Sequence, residues 1–130
     1  MMPDAPILTP ELSPRVLVVE DEELIRWAIG VSLKAEGYVV VEAGTIGEAR
    51  ALMEGPLAAA ILDYRLPDET GLDLIPDLRR AHPETPIVMM TAYRTNNLAD
   101  LAEAAGIAVV MDKPFVVEKL IDVVKGLVAG

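Results

Sequence analysis

Apolar residues fall along this chain in two alternating rhythms. Short unbroken runs, Val16-Leu17-Val18-Val19, Tyr38-Val39-Val40-Val41, Leu57 to Leu62, Ile87-Val88-Met89-Met90 and Val109-Val110-Met111, have the length of buried strands. Between them the apolar positions recur every three or four residues. Leu24, Ile25, Ala28, Ile29, Leu33 and Ala35 make one helical stripe, stopped by Gly37. Thr45 is placed to cap a second helix carrying Ala49, Leu52 and Met53, with Glu48 completing a capping box and Gly55-Pro56 ending it. Leu72, Leu74, Ile75 and Leu78 mark a third helix to about Ala81, with Pro76 tolerable only near its first turns. Asn96 or Asn97 caps a fourth that runs through Leu98, Leu101, Ala102 and Ala105 to Gly106, and a fifth starts at about Val116 and carries Leu120, Ile121, Val124 and Leu127. Five β-α units in succession predict an α/β domain. Its sheet has five parallel strands and helices on both faces, because right-handed crossovers distribute them that way. The run from Leu57 to Leu62 is the ambiguous one, since its alanines suit a helix as well.

What the strands run into matters more than the strands. The third ends in Asp63 and turns away through Tyr64-Arg65-Leu66-Pro67-Asp68-Glu69-Thr70-Gly71. Open α/β folds place their chemistry at the mouth of the sheet, beyond the carboxyl ends of the strands. Asp63 also fits as a residue that merely starts a turn. The first strand, however, delivers Glu20 and Asp21, the fourth delivers Thr91, and the fifth delivers Asp112-Lys113-Pro114. Parallel pairing brings Glu20, Asp21, Asp63, Thr91 and Lys113 to one crevice, joining acids, a hydroxyl and an ammonium.

Composition narrows the possibilities. A chain of 130 residues, 52% apolar and 25% charged, has the make-up of one soluble globular domain. Its formal net charge of −10 argues against direct binding of nucleic acid by this domain. The absence of cysteine excludes disulfides and thiolate metal sites. Residues 1–14 hold four prolines and no apolar periodicity, and are expected to be a flexible leader, with the domain occupying 15–130. The leader lacks the pattern of a signal peptide, and no segment has the length of a spanning helix, so a cytoplasmic protein with no membrane contact is expected.

Carboxylates crowded in one crevice repel: one pair about 4 Å apart costs on the order of 4 kcal/mol at an effective dielectric of about 20. A hard divalent cation offsets that cost, and oxygen donors without His or Cys select Mg²⁺ or Mn²⁺ over zinc. A carboxylate beside such an ion can act as a nucleophile toward phosphorus. The phosphoryl oxygens then need neutralising, a role open to the metal on one side and Lys113 on the other, with the Thr91 hydroxyl as a further donor.

From Arg15 onward the sequence resembles a two-component response-regulator receiver domain, the chemotaxis-regulator type of flavodoxin-like fold. The resemblance rests on Val18-Val19-Glu20-Asp21-Glu22, on Asp63-Tyr64-Arg65-Leu66-Pro67 with Gly71, on Thr91-Ala92-Tyr93, and on Lys113-Pro114-Phe115, in that order and at those intervals. It implies that Asp63 is the phosphoacceptor and that Glu20 and Asp21 are the acidic pair binding Mg²⁺, with the Arg65 backbone carbonyl completing the protein's ligands. Thr91 and Lys113 become the groups that sense the phosphate, Pro114 follows a cis peptide bond, and Arg65 and Tyr93 flank the path of the hydrolytic water. The implied partners are a sensor histidine kinase or histidine phosphotransfer protein, and an effector domain or partner protein. A phosphorylation-dependent dimer is a further expectation. One position departs from the family: three residues before the lysine, where an aromatic is common, stands Val110.

Two other functional classes compete. A phosphatase of the haloacid-dehalogenase type needs a second acid two residues after the nucleophile, where this chain has Arg65. A flavodoxin-like cofactor binder needs a phosphate cradle after the first strand, where Glu20-Asp21-Glu22-Glu23 would repel a phosphate. Among the remaining residues, Trp27 is expected to pack partly on the surface of its helix, His82 to end one, and Met89, Met90 and Met111 to lie in the core.

Overall fold

The five apolar runs become β1 (Arg15–Val19), β2 (Val39–Ala43), β3 (Ala59–Asp63), β4 (Ile87–Thr91) and β5 (Val109–Asp112). They alternate with α1 (Glu23–Ala35), α2 (Ile46–Ala51), α3 (Ile75–Ala81), α4 (Asn96–Ala104) and α5 (Val117–Ala129). The structure, a computed structural model, describes residues 13–92 and 96–129, with the side chain of Asn96 outside that set. Most of the expected leader and Tyr93 therefore lie outside the described residues. Pro14 is already part of the sheet's edge, its carbonyl accepting the Val39 N–H at 2.9 Å.

All pairings are parallel and the strand order is β2-β1-β3-β4-β5, which puts β3 in the centre. Successive side chains of a strand point to opposite faces, so β1 and β3 feed two cores. Val16, Val18, Ala59 and Ile61 pack with Ile29 and Leu33 of α1 and Leu120 and Val124 of α5. Leu17, Val19, Ala60 and Leu62 pack on the other face with Ile46 of α2, Leu74 just before α3, Leu78 of α3 and Leu98 of α4. The expected methionines are all buried, at 0%, 0% and 6% exposure for Met89, Met90 and Met111. Trp27 is more exposed than expected, at 62%.

Two helices depart from the sequence expectation in detail. α2 stops at Ala51 and does not reach Met53. The carbonyl of Met53 instead meets the His82 ring, 2.7 Å from its Nε2, while His82 ends α3 as expected. α3 is preceded by a 3-10 turn over Gly71–Leu74, and the reason is Pro76. Pro76 has no N–H to offer the Leu72 carbonyl, which takes the Ile75 N–H in the tighter spacing instead. Thr45 caps α2 through the Glu48 N–H at 3.0 Å, but Glu48 reaches back to the Gly44 N–H at 2.6 Å, one residue beyond the cap.

The candidate phosphoacceptor crevice

Strand register sets the site as a staircase. Val19 stands opposite Leu62, so Glu20 emerges level with Asp63; Asp63 pairs with Met90, so Thr91 comes one step later; Thr91 pairs with Asp112, so Lys113 comes one step later again. Backbone hydrogen bonds continue past the strand ends and pin each of these steps. The Glu20 N–H reaches the Ala43 carbonyl at 3.0 Å, the Tyr64 N–H that of Met90 at 2.8 Å, and the Lys113 N–H that of Thr91 at 2.7 Å.

The expected residues do come together. Glu20, Asp21 and Asp63 each offer a carboxylate oxygen within 4.8 Å of the others. Glu20 is fully buried and Asp63 and Thr91 nearly so, at 5% and 2% exposure, whereas Asp21 is exposed. Lys113 bridges the two buried acids, its Nζ lying 2.6 Å from Glu20 Oε1 and 2.9 Å from Asp63 Oδ2. The second Glu20 oxygen accepts the Glu22 N–H at 3.1 Å, and the Arg26 guanidinium donates to the Glu20 carbonyl at 2.7 Å. Burial is the largest single influence on the Lys113 ammonium and pulls its pKa down. The hydrogen bonds to Glu20 and Asp63, with their charges, together outweigh it and hold the pKa above the ordinary lysine value. Three carboxylates against one ammonium leave two negative charges (−3 + 1 = −2) in the crevice. An all-oxygen donor set with that residual charge fits a hard divalent cation.

The loop after β3 is a small hairpin. Arg65 faces Thr70 in an antiparallel bridge made by Gly71 N–H to the Tyr64 carbonyl at 2.8 Å and Leu66 N–H to the Glu69 carbonyl at 3.2 Å. Neither bond uses the Arg65 carbonyl. Gly71 is required by space, since a Cβ there would overlap the Asp63 carbonyl oxygen. With Asp21, residues 64–70 line an open depression of about 630 Å³ beside the acids. On the other side of the crevice Leu24, Ile25, Ala28, Pro114, Phe115 and Val117 line an apolar groove of about 510 Å³ that Lys113 also borders. The Lys113–Pro114 peptide bond is cis, as the resemblance implied. Val110 is half-buried against the α2–α3 core.

Sequence reasoning passed over three residues that shape this site: Arg26, Arg50 and Asp68. Arg26 spans from α1 to the Glu20 carbonyl and to Glu42 Oε1, 3.4 Å from its Nε. Arg50 and Asp68 tie the hairpin to α2. The only signal for them in the sequence was an acid beside the turn proline, Pro67-Asp68, and that is common in turns that bind nothing.

Among the described residues no helix is long and apolar enough to cross a membrane. Comparison with known proteins agrees with the geometry. The family model of the response regulator receiver domain matches residues 16–125. The chain is 36% identical over 101 residues to the response regulator protein PilR of Pseudomonas aeruginosa, covering 77% of this chain and 23% of that protein. It is 35% identical over 113 residues to the transcriptional regulatory protein PdtaR of Mycobacterium tuberculosis, covering 85% of this chain and 55% of that one. The chain thus spans about a quarter to about half the length of these relatives. A crystal structure of a CheY-like response regulator receiver domain protein from Methanospirillum hungatei superposes with a TM-score of 0.85 at 27% identity, covering 90% of this chain and 94% of that one. A five-stranded parallel sheet of this order, an acid–lysine crevice at its carboxyl edge and a family match over most of the chain have one common meaning: this protein belongs to the receiver domains of two-component response regulators.

Proposed function

We propose that Asp63 accepts a phosphoryl group from a phosphohistidine donor and that the charge so introduced switches the protein's output surface. The observation that carries this is the Lys113 ammonium held on Asp63 Oδ2 at 2.9 Å inside a cluster of three carboxylates. A lysine already seated on the acceptor is placed to hold the oxygens of a group that arrives there. In the transfer an Asp63 oxygen forms the O–P bond as the N–P bond of the phosphoimidazole breaks, and the imidazole nitrogen keeps the bonding pair. Thr91, buried one step along the staircase, supplies a hydroxyl donor to the new anion.

Glu20, Asp21, Asp63 and the Arg65 carbonyl would hold Mg²⁺, or Mn²⁺ in its place. Such an ion supplies charge neutralisation for the acids and for the incoming phosphoryl group. Glu20 is kept in place for this by Lys113, the Glu22 N–H and Arg26. The donor is a sensor histidine kinase or a histidine phosphotransfer protein. The groove that Lys113 borders, with Leu24 exposed at its rim, offers such a partner an apolar surface beside the crevice. The output passes to an effector domain or partner protein.

Intact-mass measurement after incubation with acetyl phosphate and Mg²⁺ tests the reading. The parent gains one phosphate, while Asp63→Asn gains none. Asp21→Ala also fails to label, although its acceptor is intact. Labelling of Asp63→Asn, or full labelling of Asp21→Ala, refutes these assignments. Beryllofluoride, a phosphate mimic, tests the hydroxyl: amide shifts across residues 92–105 are expected to be large in the parent and in Val110→Ala, and much smaller in Thr91→Ala.

A further inference from the structure

Helix α2 is too short to hold itself in place. Six residues are far below the length at which an isolated helix persists in water, and α2 buries only Ile46 and Ala49. Much of its anchoring comes from the chain leaving Asp63. One oxygen of the Asp68 carboxylate accepts the Ile46 N–H at 3.1 Å and the other accepts the Gly47 N–H at 3.0 Å. These are the unpaired amides of the helix start, and the helix's own cap, Thr45, takes only the Glu48 N–H. Toward the other end of the helix, Arg50 grips Glu69 through both terminal nitrogens, at 2.5 Å and 3.1 Å, and donates from Nε to Asp77 at 2.8 Å. The hairpin is thus tied to both ends of α2. Within the hairpin, Glu69 is joined directly to Leu66, the neighbour of Arg65, by the rung from Leu66 N–H to the Glu69 carbonyl.

We propose that the clamp formed by Asp68 and Arg50 positions the Arg65 carbonyl toward the divalent cation, so that the order of α2 and the metal affinity of the crevice are coupled. The inference rests on the reading of the crevice given above. A two-residue tie to a helix restricts where the hairpin can stand, and a metal ligand supplied by backbone has no side-chain rotamer with which to recover a lost position. Loss of a group that fixes a ligand's position typically costs about ten- to a hundred-fold in metal affinity. Coupling between two sites is reciprocal. If the clamp raises metal affinity by some factor, the bound ion must protect the α2 amides by the same factor. Binding to the folded state protects every amide that exchanges by global unfolding, so the coupling is read as protection at Ile46 and Gly47 beyond that of the core amides.

The test uses the full chain with Mn²⁺ as the probe for binding and Mg²⁺ for hydrogen exchange. Asp68→Ala is expected to weaken Mn²⁺ binding roughly ten-fold. Asp68→Asn, which keeps one acceptor oxygen, recovers part of that loss, and Arg50→Gln weakens binding in the same direction by less. Thr45→Ala removes a cap from the same helix but leaves the Asp68 and Arg50 ties in place, and weakens Mn²⁺ binding less than Asp68→Ala does. Mg²⁺ slows exchange at the Ile46 and Gly47 amides of the parent beyond its effect on the core amides, and no longer does so in Asp68→Ala. Parent-like affinity in Asp68→Ala overturns the proposal. So does an equal loss in Thr45→Ala, or protection by the metal at α2 no greater than that of the core amides. Should Asp68→Ala not fold, Arg50→Gln and the exchange of the parent decide the matter alone. Failure of the parent to bind Mn²⁺ overturns the metal site itself and the clamp with it, whereas a parent that binds beside an unaffected Asp68→Ala overturns only the clamp.

Discussion

The two helical layers that cover the sheet are held by different means. On one face α1 and α5, thirteen residues each, bury Ile29, Leu33, Leu120 and Val124 against β1 and β3. On the other, α2 and α3 have six and seven residues; they too bury Ile46, Ala49, Ile75 and Leu78, but are in addition stitched down by charged side chains. Asp68 holds the start of α2, Arg50 joins it to Glu69 and Asp77, and Arg79 of α3 donates to the Thr85 and Gly106 carbonyls at 2.6 Å and 3.0 Å. Apolar burial is roughly proportional to area and indifferent to angle, so the long-helix layer is stable and tolerant. Hydrogen bonds are directional, and a small rotation weakens them steeply. The layer that borders the hairpin after Asp63 is therefore the one whose geometry can be set, and reset, by a few polar contacts.

The comparison is broken most readily on the apolar side. Leu33→Ala removes a fully buried side chain of α1 and should cost about 2–5 kcal/mol in urea denaturation, with an unchanged denaturant slope. A cost below that range would mean that the long-helix layer is not what carries stability. Next comes the hairpin's closing position. Gly71→Ala forces a methyl group onto the Asp63 carbonyl and toward Met89, and should cost about 1–3 kcal/mol together with much of the phosphate labelling. Labelling at the parent rate would show that the hairpin gives way without moving the acceptor.

The charged layer predicts a pH effect. The Gly47 N–H and then the Ile46 N–H hold the Asp68 pKa below the ordinary carboxylate value, against the opposing effect of burial. The unfolded chain then binds this proton more readily than the folded one. The stabilisation is fully present above the ordinary carboxylate range and is lost as pH falls through the lowered folded value. Asp68→Asn should flatten the acid limb of the stability curve, measured by thermal melting between pH 6 and pH 2 (a range of about four units spanning the reference carboxylate pKa). An acid limb as steep as the parent's would remove Asp68 from the account. The smallest effect is expected back on the apolar side. Lys125 meets Glu36 at 2.8 Å across α1 and α5, but both side chains are exposed, and pairs of that kind contribute little. Lys125→Ala should leave the denaturation midpoint where it was; a clear drop would mean that this layer too depends on charge.

The same division explains what could be seen in advance. The α1 stripe of Ile25, Ile29 and Leu33, and the α5 stripe of Leu120, Ile121 and Val124, announced their helices because a long amphipathic face repeats its signal over several turns. α2 and α3 are two turns or less, so periodicity placed the end of α2 too late and read the turn at Gly71–Leu74 as helix. Glu20, Asp21, Asp63, Thr91 and Lys113 were legible because parallel strands carry whatever follows them to one edge, and the four strand ends that supply them are easy to read. Asp68 and Arg50 were not, since their partners lie about twenty residues away and depend on how two short elements pack. Glu48 takes the Gly44 amide where the capping-box pattern leads one to expect that of Thr45.

With the Lys113 ammonium seated between Glu20 and Asp63, the crevice is never without a cation of its own. A sodium or potassium ion arriving there brings no more charge than the ammonium already does. A divalent ion brings one charge more and can meet the two that remain. If the crevice holds a metal as proposed, valence favours a divalent ion over a monovalent one there.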